Sequence, residues 1–155
     1  MVDSPLLVIV DADTLAGWRR PTSSLRQLHD AVEALERQEP DAVIAVIADA
    51  SLKWALSEDE RDLVEADIVR GSLLFAPAGC VGGLGGFIGR VVDKARERGF
   101  QPFVVTDQAI TGCPLARARK GAEGEWVFDL ETATTPPSRL EEASRLRNTH
   151  RRRRR

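Results

Sequence analysis

The sequence contains few of the residues on which many binding and catalytic sites depend. It has 2 cysteines, 2 histidines, 3 tryptophans and no tyrosine in 155 residues. Cys80 and Cys113 show neither metal-ligand spacing nor a nearby histidine, which excludes a recognisable zinc site or disulfide framework. We interpret both cysteines as small hydrophobic residues of the interior.

Long hydrophobic runs are also missing. The chain has no stretch of about 18 consecutive apolar residues, the length needed to span a bilayer. The N-terminal segment MVDSPLL lacks the basic start and the small-residue cleavage site of a secretory signal. At 43% hydrophobic residues, the sequence supports one core of ordinary size. We therefore expect a cytoplasmic protein with one folded domain and no membrane segment.

Positive charge is scarce except near the C-terminus. The net charge is -2, but the residues from Arg139 onward contain eight arginines and two glutamates, which leaves -8 on the rest of the chain. The only large apolar residues there are Leu140 and Leu146, too few to order the segment by burial. We predict a folded domain over residues 1–133 and a disordered, arginine-rich tail over residues 134–155.

Apolar runs alternate with helical patterns along the domain. Helices are indicated by apolar residues spaced 3, 4 and 3 from Leu25 to Leu35, by the Ser57/Glu60 capping box, and by a pattern from about Phe87 to Arg98. Strands are predicted over Leu6 to Val10, Val43 to Ile47, Leu73 to Ala76, Phe103 to Val105 and Trp126 to Phe128. Uniformly apolar strands separated by amphipathic helices predict an α/β three-layer sandwich with a mostly parallel sheet.

Aspartates follow three of these strands. The stretch LLVIVDADTLAG places Asp11 and Asp13 after the first strand, Asp49 follows the second, and Asp107 follows the fourth. Parallel strands bring such ends to one edge of the sheet, where carboxylates repel one another unless a cation lies among them. Oxygen ligands suit Mg²⁺ or Mn²⁺. We predict metal ligation by Asp11, Asp49 and Asp107 and catalysis by Asp11, Asp13 and Asp107; helix capping is the alternative for each aspartate.

Four segments resemble the PIN-like NYN domains, in particular the Regnase-type ribonucleases. They are VIVDADTLAG, VIAVIADAS, LLFAPAG and GGFIGRVVDKARERGFQPFVVTDQ, and the resemblance covers about residues 6–110. It implies a PIN/NYN-like fold, a divalent cation and an endoribonuclease acting on single-stranded or structured RNA. Asp11 matches the first acidic position of the family, and Asp107 lies one residue before its third.

The second acidic position of that family is missing here. One or two acids precede the equivalent of FIGRVVDKA, whereas this chain has Gly85 and Gly86. Glycine has no side chain to hold a metal or to orient water. The resemblance therefore implies either a site rebuilt with Asp13 and Asp49 or a degenerate site in a non-catalytic module that binds RNA or protein.

The motif VIVDADT also has the DxDxT form of haloacid dehalogenase-type phosphatases. In such an enzyme Asp11 would be the nucleophile, Asp13 the general acid and base, and Thr106 a phosphate contact. The later acidic pair would be Asp129 and Glu131, in a segment that lacks the usual glycine. This phosphatase is the alternative enzyme.

The stretch VGGLGGFIGR allows a phosphate-binding hypothesis that does not depend on either family. Gly83, Gly85 and Gly89 follow a strand and open a helix, where backbone N–H groups and the helix dipole attract phosphate. The spacing is not that of GxGxxG. A flexible turn is the alternative.

Basic and aromatic residues around the acidic edge are candidates for RNA contact. An acidic domain needs a source of electrostatic attraction to RNA, and Trp18 offers a ring for base stacking. The tail has a second interpretation, the binding of an acidic protein partner, and a homodimer is a further expectation. The predicted nucleic-acid residues are Trp18, Arg19, Arg20, Arg90, Arg117, Arg119, Arg151, Arg152 and Arg153.

Overall fold

Four parallel strands form the central sheet. In the computed structural model, which describes residues 4–108 and 112–130, β1 spans Leu6–Asp11, β2 spans Val43–Ala48, β3 spans Leu74–Phe75 and β4 spans Gln101–Val105. The strands lie in the order β3-β2-β1-β4, and each neighbouring pair is parallel. β1 is central because its apolar side chains on both faces are buried. The predicted parallel sheet is confirmed, with β3 shorter than expected.

Helices cover both faces of this sheet. They are α1 (Ala12–Ala16), α2 (Leu25–Gln38), α3 (Leu52–Ala55), α4 (Glu58–Arg70) and α5 (Gly83–Glu97). On one face Val8 and Val10 pack in a core that includes Leu28 of α2. On the other face Ile9 packs in a core with Ile88 of α5. The alternation of β1 side chains thus produces the predicted three layers.

The starts of α2 and α4 follow from local capping. The Ser24 side chain accepts a hydrogen bond from Gln27 N at 3.2 Å, and the Ser57 side chain accepts one from Glu60 N at 3.4 Å. The Ser57 half of the predicted capping box is confirmed, whereas the Glu60 carboxylate accepts hydrogen bonds from Leu25 N and Arg26 N at the start of α2, at 2.6 and 3.2 Å. Gly71 ends α4 with a left-handed φ of 75°, a conformation that favours glycine.

The segment after β4 differs from the prediction. Residues outside the predicted strands form β5 (Ala116–Lys120), which pairs antiparallel with β6 (Trp126–Leu130) in a separate two-stranded sheet. Its alternating alanines and basic residues suit a strand with one covered face. The hairpin packs against the end of α2, where Gln38 donates to Phe128 O and accepts from Phe128 N at 2.6 and 2.9 Å.

Three helices differ from the sequence patterns. The patterns missed the short helices α1 and α3, and α5 begins at Gly83 rather than near Phe87.

No helix in the described ranges has the length and apolar character that a membrane span requires. The predicted tail, with Arg151, Arg152 and Arg153, lies outside the described residues, as does Glu131.

Candidate active site at the carboxyl edge of the sheet

A cleft of about 490 Å³ opens where β1 and β4 end. The three residues predicted to be catalytic, Asp11, Asp13 and Asp107, all line it. The right-handed connections of a parallel sheet place them there, because both strands end at this edge. The full lining is Asp11, Asp13, Thr14, Gly17, Trp18, Arg19, Asp107 and Gln108.

Asp11 is fully buried at the end of β1. It is the N-cap of α1, since Oδ1 accepts a hydrogen bond from Thr14 N at 3.4 Å. Its Oδ2 lies 2.9 Å from Thr14 Oγ1 and accepts from Thr106 Oγ1 at 2.7 Å. Burial raises the pKa of Asp11 above its usual value, although these hydrogen bonds lower it in part. The capping alternative is therefore correct for Asp11, and the same carboxylate also lines the cleft.

Thr14 connects Asp11 to Asp107. Its Oγ1 lies 2.9 Å from Asp11 Oδ2 and 2.9 Å from Asp107 Oδ1, and it accepts a hydrogen bond from Asp107 N at 3.2 Å. A hydroxyl has one proton and cannot donate to two carboxylates. Thr14 therefore donates to one of the two carboxylates at a time, and the other contact brings a carboxylate oxygen to 2.9 Å from the hydroxyl oxygen without a proton between them. The burial of Asp11 adds to the cost of negative charge at this point.

Asp13 occupies a different electrostatic environment. Its Oδ2 accepts a hydrogen bond from Asp49 N at 2.9 Å, which ties the end of β2 to α1. Burial, with smaller contributions from the charges of Asp11 and Asp49, raises the pKa of Asp13 to about 6. A carboxyl group with that pKa exchanges protons readily near neutral pH, as general acid–base catalysis requires.

Asp49 comes to this edge mainly through its backbone. Its carboxylate accepts hydrogen bonds from Ser51 N at 3.3 Å and from Ser51 Oγ, which form a local turn before α3. Within residues 4–108 and 112–130, no three His, Cys, Asp or Glu side chains form a group that could hold a metal ion. The predicted trio of Asp11, Asp49 and Asp107 is thus not brought together as a metal-binding cage.

The cleft nevertheless offers suitable chemistry for a divalent cation. Its charged donors are carboxylate oxygens, which hard cations such as Mg²⁺ and Mn²⁺ prefer. The two carboxylates that share the Thr14 hydroxyl mark a place where positive charge is favourable. Asp11 and Asp107, with Asp13 beside them, are the residues that fit such an ion.

The two glycines at the missing acidic position have different surroundings. A Cβ atom on Gly86 would lie 2.3 Å from Val81 O, so the backbone packing excludes a side chain there. A Cβ atom on Gly85 would lie 3.0 Å from Gln108 Oε1, the end of a flexible side chain that lines the cleft. Gly85 therefore borders the cleft through Gln108, whereas Gly86 is required for packing.

The glycine-rich stretch opens a helix, as the phosphate-binding hypothesis expected. α5 begins at Gly83, Gly85 and Gly89 lie inside it, and Gly82 and Gly83 have left-handed φ values of 77° and 64°. The turn is therefore at Gly82 and Gly83, and the phosphate contact stays a hypothesis.

Trp18 is a packing residue more than an open stacking surface. It is half-buried and meets Trp126 of the hairpin edge to face, with ring centroids 5.8 Å apart. Its indole nitrogen is buried and has no hydrogen-bond partner within the described part of the chain. Arg19 is exposed, lines the cleft and lies 5.9 Å from the Trp18 ring centroid.

The other predicted arginines of the described ranges are not among the residues that line this cleft. Arg20 is exposed beside Arg19 and donates to Thr22 O at 3.3 Å. Arg90 donates to Val81 O at 3.2 Å and thereby holds the glycine-rich segment. Arg117 and Arg119 are exposed on one face of β5, where Arg119 pairs with Asp129 at 2.6 Å. Arg19 is thus the one predicted arginine among the cleft-lining residues.

The same ion pair bears on the phosphatase alternative. That enzyme requires a later acidic pair at the edge of the main sheet, but Asp129 lies on β6 of the separate hairpin and pairs with Arg119. Glu131 lies outside the described residues.

The sequence analysis missed Thr14 as a link between two carboxylates, although its position three residues after Asp11 is typical of a capping contact.

Comparison with known proteins supports the fold. No protein-family model matches the chain, and no curated protein matches it. A solved structure, nuclear proteinaceous RNase P 2 (PRORP2) from A. thaliana, matches with a TM-score of 0.59 and 15% sequence identity. The match covers 83% of this chain but only 30% of that protein. At this identity the likeness shows the fold alone, an α/β domain with a parallel sheet between helices.

Proposed function

We propose that this chain is an RNA-cleaving PIN/NYN-like domain that works with a divalent cation held by Asp11 and Asp107. The observation that carries the proposal is the pair of carboxylates on either side of Thr14, 2.9 Å from its hydroxyl oxygen, at the carboxyl edge of the sheet. The solved structure that shares the fold is named as an RNase P. The Regnase-type ribonucleases remain the sequence resemblance.

Each residue of the cleft has a distinct role in this proposal. Asp11 and Asp107 would hold the cation, and Thr14 fixes the position of both carboxylates. When bound, the cation would supply positive charge at the phosphodiester and lower the pKa of the attacking water. Asp13, with its pKa of about 6, accepts or donates a proton near neutral pH. Arg19 at the rim contacts the RNA backbone.

RNA approaches from the side of the hairpin. The exposed arginines Arg117 and Arg119 lie on β5, and the cleft opens beside Trp18, which packs on Trp126 of the same hairpin. The tail arginines Arg151, Arg152 and Arg153 add sequence-independent attraction to phosphates. These contacts position the strand without reading bases.

The test is cleavage of an end-labelled single-stranded RNA in the presence of Mn²⁺ or Mg²⁺. Asp107→Asn keeps the shape of the side chain and removes a charge that the cation needs, so we expect at least about a hundredfold loss of rate. Asp93→Asn, an exposed change on α5 outside the cleft, serves as the matched control and should cleave at the wild-type rate. Equal rates for Asp107→Asn and Asp93→Asn would overturn the proposal.

A second candidate is an RNA-binding domain without catalysis. It is favoured by Gly85, which leaves the position that borders the cleft without an acid, and by the lack of a three-residue metal group within the described residues. It predicts that the wild type binds the same RNA, measured by fluorescence anisotropy, and leaves it intact over hours with Mn²⁺. Cleavage that Asp107→Asn abolishes would exclude this candidate.

A further inference from the structure

A second concavity lies far along the sheet from the acidic cleft. This groove of about 570 Å³ runs between α2 and the strands β2 and β3. Apolar residues including Leu28, Val32, Ile44 and Leu74 form its floor. Glu33 and Glu36 of α2 rise on one rim, and both are exposed. The groove is thus an apolar channel beside a row of carboxylates.

The sheet is open along this groove. β3 pairs with β2 only through Ile47–Leu74 and Ala48–Phe75, so residues 43–46 of β2 extend past it. Val43 and Leu74 are about half exposed, at 49% and 51%. An exposed strand edge with apolar side chains is a surface on which another segment can lie.

The part of the chain that contains the groove helix α2 is more acidic than the part that follows it. Residues 25–70, which contain α2, α3 and α4, have 12 acidic and 5 basic residues, whereas residues 71–130 have 6 acidic and 7 basic residues. Asp67 of the groove already has partners, because it pairs with Arg70 and contacts His29 Nε2 at 2.6 Å each. Glu33 has an exposed ion pair with Arg37 at 3.8 Å, which is weak enough to exchange for another cation. Glu36 and Glu33 are therefore the carboxylates of the groove that a basic partner would contact.

We propose that this groove binds the chain's own arginine-rich segment, residues 139–155. That segment carries eight arginines and two glutamates, the complement of the acidic half of the domain. Its arginine stems cover apolar surface while the guanidinium groups pair with carboxylates. The partner is thus defined by charge and by the mixed character of the groove, and RNA would compete with the groove for the same arginines.

The described domain ends beside the helix that provides Glu33 and Glu36. β6 ends at Leu130, and Gln38 at the end of α2 binds the backbone of Phe128. Eight residues, 131–138, separate Leu130 from the arginine-rich segment, and an extended chain of that length spans up to about 27 Å. The place where the described domain ends and the length of chain that follows it therefore favour this segment as the occupant.

Hydrogen exchange of the full-length chain tests the proposal without RNA. We expect Glu33→Gln combined with Glu36→Gln to speed the exchange of amides 43–46 by a factor of about 3 to 10, because the docked segment no longer covers the strand edge. Replacing Arg151, Arg152, Arg153, Arg154 and Arg155 by serine should have the same effect. The combined variant should exchange no faster than either alone, since both changes release one contact.

The matched control is Asp59→Asn combined with Asp62→Asn, which makes the same change in net charge on exposed positions of α4 outside the groove. It should leave the exchange of amides 43–46 unchanged. Salt of about 0.5 M should reproduce the effect of the serine variant, because it screens exposed charges. Unchanged exchange in the serine variant, or additive effects of the two sets, would overturn the proposal. Protection that grows with protein concentration would overturn it too, since the tail would then lie on a second copy.

Discussion

Two buried aspartates of this protein have opposite environments. Asp67, 3% exposed on α4, pairs with Arg70 and contacts the side chain of His29, so its negative charge has a cationic partner. Asp11, 0% exposed at the end of β1, accepts hydrogen bonds from hydroxyl and backbone amide groups, and burial raises its pKa. A structural carboxylate is neutralised within the fold. A carboxylate kept without a cation, facing a cleft and a second carboxylate, is a candidate for ligand chemistry.

The difference extends to the surroundings of each residue. Asp67 joins α4 to α2 across the groove and contributes to holding a helix with few buried side chains, Val64 and Asp67 itself. Asp11 joins β1, α1 and β4 through Thr14 and Thr106. Both residues hold neighbouring elements together. Of the two, Asp11 is the one whose negative charge is not paired with a cation, so a bound cation would stabilise it.

The largest expected change in stability concerns the two adjacent glycines beside the cleft. Gly86→Asp should lower the free energy of unfolding by about 3 kcal/mol, because its Cβ would lie 2.3 Å from Val81 O. Gly85→Asp should keep the fold, since only the flexible Gln108 side chain must move. Its added carboxylate should also increase the rise in melting temperature that Mn²⁺ produces.

Thermal unfolding with and without Mn²⁺ measures both changes. Gly89→Asp is the control on the same helix, at a position where a Cβ meets nothing within 4 Å. If Gly85→Asp gained no more from Mn²⁺ than Gly89→Asp, the assignment of position 85 to the cleft would be wrong.

The intermediate effect concerns Asp67. Asp67→Asn removes the charge that pairs with His29 and Arg70, and we expect a loss of about 2 kcal/mol of stability in chemical denaturation. Asp11→Asn should cost less, because it removes a buried charge that has no cationic partner in its hydrogen-bonding environment. A larger loss of stability for Asp11→Asn than for Asp67→Asn would contradict the inference that only the charge of Asp67 is stabilised within the fold.

Sequence reasoning reached the strands and the convergence of Asp11, Asp13 and Asp107, because apolar runs and strand-end aspartates are local signals. It missed β5, in which alanines alternate with basic residues. That pattern is typical of a strand only when one face is covered, and here the alanine face packs in the core that contains Trp126 and Phe128 of β6. It also missed the roles of Gly85 and Gly86. Which of two adjacent glycines borders a cleft depends on how α5 packs against Val81 and Gln108, and that is a tertiary property.

The smallest effect is a pH dependence of Asp13. Its pKa is 3.8 in the unfolded chain and about 6 in the folded protein. Because the folded state holds the proton more tightly, the ionised form costs stability, a cost absent below about pH 4 and complete above about pH 6. Asp13→Asn keeps an acceptor for Asp49 N and should raise stability by about 1 kcal/mol at pH 7.5, after allowance for solvent screening, and by almost nothing at pH 4. Denaturation at the two pH values measures this difference, with the exposed change Asp59→Asn as the reference. An equal gain at both pH values would show that the carboxylate of Asp13 is not held at an electrostatic cost, and the contrast between the cleft and Asp67 would then rest on Asp11 alone.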